Sequence, residues 1–191
     1  FHEEGTVFLG DYGYKRSVLR SHLNHRSEDQ KFGVTLTTGY TVQSNDQPAI
    51  DLTRTAIQLA PNAPALYNED GSLNFEGSTW DNPVALLNGK YKTKTYDFIV
   101  NSQLSYKLLP GLELKSSFGV TDTRHEETRT QPSTMYDPAF GLGPELSSLF
   151  VNATNRRTWI AEPQVSWSQN WQYGKTELLV GGTFQQQKST S

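Results

Sequence analysis

The sequence predicts an all-β chain, an antiparallel up-and-down meander of about six long strands in three hairpins. Three observations predict it. Apolar and polar residues alternate with a period of two over long stretches. Those stretches run for about 13 to 19 residues, against a usual strand of roughly 5–6. The connections are also unequal: three are very short, and two are long and rich in Pro, Gly, Asn and aromatics.

Residues 14–26, "YKRSVLRSHLNHR", place Ser17, Leu19, Ser21 and Leu23 on one face, and Arg16, Arg20, His22 and Asn24 on the other. A polar link, "RSEDQ", leads into 31–44. There Phe32, Val34, Leu36, Thr38, Tyr40 and Val42 oppose Gly33, Thr35, Thr37, Gly39, Thr41 and Gln43. Residues 45–89 form the first long connection. Within it, 48–60 is apolar at Ile50, Leu52, Ala56, Ile57 and Leu59 and is bounded by Pro48 and Pro61, which predicts a short helix begun and ended by proline, with helix confined to this stretch.

The second hairpin pairs 91–109 with 112–129 across Pro110-Gly111. Tyr96, Phe98, Val100, Leu104, Tyr106 and Leu108 share a face opposite Asp97, Asn101, Gln103 and Lys107. The return strand sets Leu112, Leu114, Phe118 and Val120 against Glu113, Lys115, Ser117 and Thr121. After a second long connection, 130–155, the third hairpin runs through 156–172 and 175–188. Its apolar face carries Trp159, Val165, Trp167 and Trp171, then Leu178, Val180 and Phe184. The glycine pair at 181–182 reads as a bend or a point of close packing within its second strand.

Hairpins joined in order put every tight turn at one end of the sheet and both long loops at the other. With aromatics near both strand ends (Phe32, Tyr106, Trp171 and Tyr173; Tyr40, Tyr91, Tyr96 and Trp159), this is the asymmetry of a transmembrane β-barrel with short turns on one side and long outward loops on the other. Ser17, Ser21, Lys92 and Lys94 interrupt the presumed outer face; the lysines lie at its loop end.

Composition narrows the function classes. The 191 residues are 35% hydrophobic and 12% aromatic, with no cysteine. A disulfide framework and a thiolate metal site are therefore excluded. A mean hydropathy of -0.62 and the lack of any 18-residue apolar run argue against spanning helices, a test that alternating strands do not trigger. A net charge of -3 argues against a nucleic-acid partner.

"EEGTVFLGDYGYKRSVLRSHLNHR", with a Gly-containing outer turn before Tyr14 and Arg16, resembles a strand passage of SusC/RagA-type TonB-dependent outer-membrane transporters. "LAPNAPALYNEDGSLNF" followed by "NPVALL" is similar to the long outer loop of that family, with Pro61, Pro64, Tyr67, Asp70-Gly71, Asn82, Pro83 and Ala85 in matching places. "YDFIVNSQLSYKLLPGLELKSSFGV" is similar to the barrel hairpin that follows it.

The resemblance implies a parent in the outer membrane of a Gram-negative, Bacteroidetes-like cell. That parent takes up an oligosaccharide or peptide, working with a TonB complex and a SusD-like surface lipoprotein. The chain is expected to be one partial barrel segment, 1–191, without plug domain or signal peptide. Polar residues Arg16, Arg20, His22, Asn24, Asp97, Asn101 and Gln103 would face the barrel interior. Tyr67, Asp70, Phe75, Trp80, Tyr136 and Phe140 would face substrate or partner from the loops. Lipid would cover the apolar face, so the excised chain is expected to self-associate in water.

Catalytic motifs and cofactor fingerprints are missing from the pattern. His2-Glu3-Glu4 and His125-Glu126-Glu127 lack HExxH spacing, and a strand sends adjacent side chains to opposite faces. "NEDGSLN" fails the EF-hand template and is explained by an Asp70-Gly71 turn. No enzymatic activity and no cofactor are expected. A soluble carbohydrate-binding β-sandwich is the alternative, separable by strand length.

Overall fold

The computed structural model describes residues 1–5 and 12–191. The outer turn expected before Tyr14 falls largely on residues 6–11, outside the described residues. Strands β1 (His2–Gly5), β2 (Gly13–Arg26), β3 (Phe32–Pro48), β4 (Lys90–Leu109), β5 (Leu112–Gln131), β6 (Ser148–Trp171), β7 (Gly174–Gly181) and β8 (Phe184–Thr190) form one sheet. Each strand from β1 to β7 pairs antiparallel with its neighbour in sequence, and β8 continues on β6 beside β7. The long-stranded meander is the predicted fold. The sandwich alternative needs two facing sheets; the described residues build one.

The sequence reading needs correction at several boundaries. β3 runs to Pro48, and β6 begins at Ser148, eight residues before the expected 156. The loops therefore shrink to 49–89 and 132–147. The helix predicted across 48–60 is a single short helix, α1 (Thr53–Gln58), and Pro48 ends β3 instead of starting it. Asp51 organises the first turn by accepting the Thr53 amide at 2.8 Å. Helix is not confined there either: 3-10 turns occupy 76–78, 83–88, 133–135, 138–140 and 144–146.

The strand predicted over 175–188 is two strands, and its partner explains why. Proline has no amide hydrogen to give a ladder. Pro163, opposite Ser116 on β5, turns its carbonyl away from β5 and accepts the Gly182 amide at 3.1 Å. The missing donor thus faces the β7–β8 side, and there the chain leaves the ladder at Gly182-Thr183 before Phe184 rejoins opposite Ala161.

The tight turns are chemically specific. Ser27 and Asp29 hold the β2–β3 turn, the carboxylate accepting the Ser27 hydroxyl at 2.6 Å and the Lys31 amide at 3.1 Å. Gly111, at φ 80, closes β4–β5, and a Cβ there would run into the Ser168 carbonyl.

Register carries the two faces across the sheet. Leu23, Leu36, Ser102, Phe118, Ala161 and Phe184 form one continuous row, and Leu19, Tyr40 and Phe98 begin another. Tyr91 pairs with Gln47 and Arg129 on the polar face, so it does not belong to the apolar face's aromatic border.

Among the described residues, nothing packs against this apolar face. The chain exposes 13763 Å², whereas a compact monomer of this mass exposes roughly 9,200 Å². Phe98, Phe118, Val120, Trp159 and Val180 are each at least 40% exposed, and among the described residues only Ala85 and Met135 are buried hydrophobics.

Candidate functional site: the loop rim

The buried side chains lie in the loops, beyond the ends of β3–β6. Asn82 caps the 83–88 turn through the Val84 amide at 2.9 Å, and Pro83 supplies the preset φ of a first helical position. Only 2% exposed, Asn82 also donates to the carbonyls of Leu66 at 2.6 Å and Asn74 at 2.8 Å. One amide thereby ties the loop's small hairpin to its last turn. That hairpin pairs Tyr67 with Leu73 around Gly71 at φ 82. Asp70 sits on the turn, accepting the Ser72 amide at 2.9 Å and hydroxyl at 2.6 Å, bonds that hold its carboxyl below the ordinary aspartate range.

The two loops meet because they flank the same hairpin, β4–β5. Asn88 donates to the Thr134 carbonyl at 2.9 Å, and Met135 lies so close to Gly89 that a Cβ there would come 2.8 Å from its sulfur. Tyr12 donates to the Leu87 carbonyl at 2.5 Å, fastening the start of β2 to the same unit. Asp137 is 7% exposed; its Oδ1 accepts the Ala139 amide at 2.9 Å, and its Oδ2 has no hydrogen-bond partner among the described residues.

Between the loops runs a groove of about 570 Å³, lined by Asn68, Asn74, Phe75, Glu76, Tyr136 and Asp137 among others, with no lysine or arginine in its wall. Aromatic faces beside amide, hydroxyl and carboxylate groups can stack on and hydrogen-bond a polyhydroxylated ligand. Of the loop residues predicted from sequence, Phe75 and Tyr136 line this groove and Asp70 braces the turn beside it. Tyr67, 53% exposed, stands on the hairpin, while Trp80 and Phe140 lie outside the groove wall. Sequence reasoning missed Asn68, Glu76, Asn88 and Asp137. The Asn-Pro and Asp-Pro pairs at 82–83 and 137–138 were the available signal, since both mark a capped turn.

The polar strand residues share the face opposite the apolar one. Register sets His22, Thr37 and Asn101 in one row and Asn24, Thr35 and Gln103 in the next. His22 Nδ1 lies 3.0 Å from Thr37 Oγ1, and Asp97 accepts the Thr123 hydroxyl at 2.8 Å. Arg20 faces Gly39, and Arg16 faces Gln43 with its Nε buried and without a hydrogen-bond partner among the described residues. Among the described residues no three His, Asp or Glu side chains gather as metal ligands.

The apolar face is bounded. On β3 it extends from Phe32 to Val42, a run of about 34 Å along the strand, or roughly 26 Å of height if the strand is inclined by about 40°. Its upper edge drifts from the Val42–Tyr96 row to the Val120–Trp159 row, four positions over the three steps from β3 to β6. With about 3.4 Å per residue and 4.8 Å per strand, that slope is roughly 43°. Barrel strands incline by about 35–45°.

No family model matches the chain. It is similar to the TonB-dependent receptor P3 of Formosa agariphila, 28% identical over 138 residues, which is 71% of this chain. The chain spans 13% of that receptor's length.

Proposed function

We propose that this chain is a wall segment of a TonB-dependent outer-membrane transporter of the SusC/RagA type. Its strands would cross the membrane, and its rim would take part in capturing an oligosaccharide or peptide. One observation carries the reading: an uncovered apolar face about 25 Å tall, sloping across long neighbour-paired strands as a barrel wall slopes. The similarity to the receptor P3 supports the same reading.

Lipid of a Gram-negative, Bacteroidetes-like outer membrane would cover this face; without it, the chain would self-associate. The polar face of Arg16, Arg20, His22, Asn24, Asp97, Asn101 and Gln103 would face the barrel interior. The rim of Tyr67, Phe75, Trp80, Tyr136 and Phe140 would meet substrate and a SusD-like lipoprotein, with uptake driven through a TonB complex. Deleting residues 64–80 in the full-length protein should lower uptake or lipoprotein retention while membrane insertion persists. Unchanged uptake and retention would reduce the rim to packing; failed insertion of the intact protein would overturn the barrel reading.

A further inference from the structure

The apolar face does not end in neutral polar residues. Beyond Tyr96, β4 continues on the same face with Lys94, Lys92 and Lys90, an every-second-residue ladder in "KYKTK". All three are exposed. On β2 the face continues past Leu19 and Ser17 to Lys15, and on β5 past Val120 and Asp122 to Arg124. Lys15, Lys92 and Lys94 line a hollow of about 670 Å³ together with Ser44, Asn45, Thr128 and the carboxylates Asp46 and Glu126.

The charge in this patch departs from that of the molecule. Lys15, Lys90, Lys92, Lys94, Arg124 and Arg157 stand against Glu4, Asp46, Asp122 and Glu126, a local excess of cations on a chain whose net charge is -3. Partners position part of the set. Glu4 holds Lys15 at 2.7 Å, Asp46 holds Lys92 at 2.7 Å, and Glu126 is engaged by Arg124 at 2.6 Å. Lys94 has no ion pair among the described residues.

From this placement we infer a phosphate site for an outer-leaflet lipid: Lys15, Lys92 and Lys94 bind the headgroup phosphate of a lipid whose acyl chains lie along the apolar face below. The inference rests on the barrel reading proposed above. Direction separates the site from substrate capture, because these lysines lie on the face opposite His22 and Asp97 and none of them lines the loop groove. Height fixes the ligand class, because the cations begin where the apolar band stops, the level at which a bilayer carries its phosphates. Each exposed lysine near an anionic headgroup layer is expected to strengthen binding on the order of fivefold.

The test uses the full-length protein folded in uncharged detergent micelles, with native mass spectrometry reporting bound lipid. Diphosphorylated lipid A should bind at least fivefold more tightly than the same lipid dephosphorylated, and millimolar inorganic phosphate should compete only weakly. Replacing Lys92→Gln and Lys94→Gln together should weaken lipid A binding by about 10- to 25-fold. Lys92→Arg with Lys94→Arg should retain it, as should Lys107→Gln at the turn end of the opposite face. Equal affinity for the two lipids, unchanged binding by the Gln pair, or inorganic phosphate binding as tightly as the lipid would each overturn the site. Those results leave the barrel reading standing if the protein still folds in micelles. Failure to fold there removes both.

Discussion

Residues 82–89 and 90–109 are consecutive in the chain, yet they are stabilised from different directions. The first stretch is held from within the protein. Asn82 satisfies three backbone groups, Ala85 is fully buried, and Asn88 and Gly89 lie against Thr134 and Met135 of the other loop. The second, β4, is held by backbone ladders to β3 and β5, and its apolar side chains touch mainly their row neighbours. Phe98 is 43% exposed and Tyr106 44%. A soluble protein reserves such side chains for a core; here the small core sits in the rim, and the sheet leaves its apolar surface to whatever surrounds it. The comparison separates two sources of stability that water-soluble domains merge.

The largest expected effect breaks the sheet's side of that comparison. Val100 lies mid-height on the apolar face, and its neighbour Asn101 points the other way. With the protein folded into lipid vesicles, Val100→Arg should cost about 2–4 kcal/mol in denaturant unfolding, and Asn101→Arg should stay within about 0.5 kcal/mol. Equal costs would mean the two faces see the same surroundings.

A middle-sized effect belongs to the rim. Asn82→Ala removes two donors and a cap, leaving the part-buried carbonyls of Leu66 and Asn74 without that partner, and should cost about 2 kcal/mol of local stability. Hydrogen exchange should accelerate across 66–89 and 133–139 while β4 and β5 amides keep their protection. Uniform acceleration of strand and loop together would show that rim and sheet unfold as one unit.

The smallest effect is a pH response confined to the loop. The folded-state carboxyl of Asp70 is held below its unfolded value by the hydroxyl and amide of Ser72. Its contribution is therefore present above the unfolded value, near 3.8, and disappears as pH falls through the lower folded one. Titrating downward from pH 5, the Ser72 amide resonance should shift with a midpoint below that of an unstructured aspartate, and Asp70→Asn should abolish the titration. A midpoint at the ordinary value would show that the turn does not prefer the charged form.

The sheet was largely legible because an environment that differs on its two sides imposes a period of two, as in Phe32 through Gln43. The reading failed where that imposition stops. At the start of β6, Leu149, Phe150 and Val151 are consecutive and all at least 55% exposed, so alternation no longer marks the strand. β1 has four residues and only polar or glycine side chains, too little pattern to find. The 3-10 turns are shorter than the repeat that reveals a helix. In the groove, single aromatics such as Phe75 and Tyr136 were legible by residue type. Asp137 and Asn88 were not, because their importance arises only when two loops separated by a whole hairpin come together.

The neighbour-to-neighbour pairing also bears on how the molecule is made. From β2 through β7, every strand finds a partner in the strand just before it. Assembly then needs no distant search: each completed hairpin presents a free ladder edge that templates the next strand to arrive. Loop closure across the Ser27–Lys31 turn or Pro110-Gly111 involves few residues and little entropy. The slow step falls on β4, which must return to β3 across the 49–89 loop. A rim that folds on its own contacts shortens that return by bringing Ala49 and Gly89 together, their backbones already bonded at 2.9 Å.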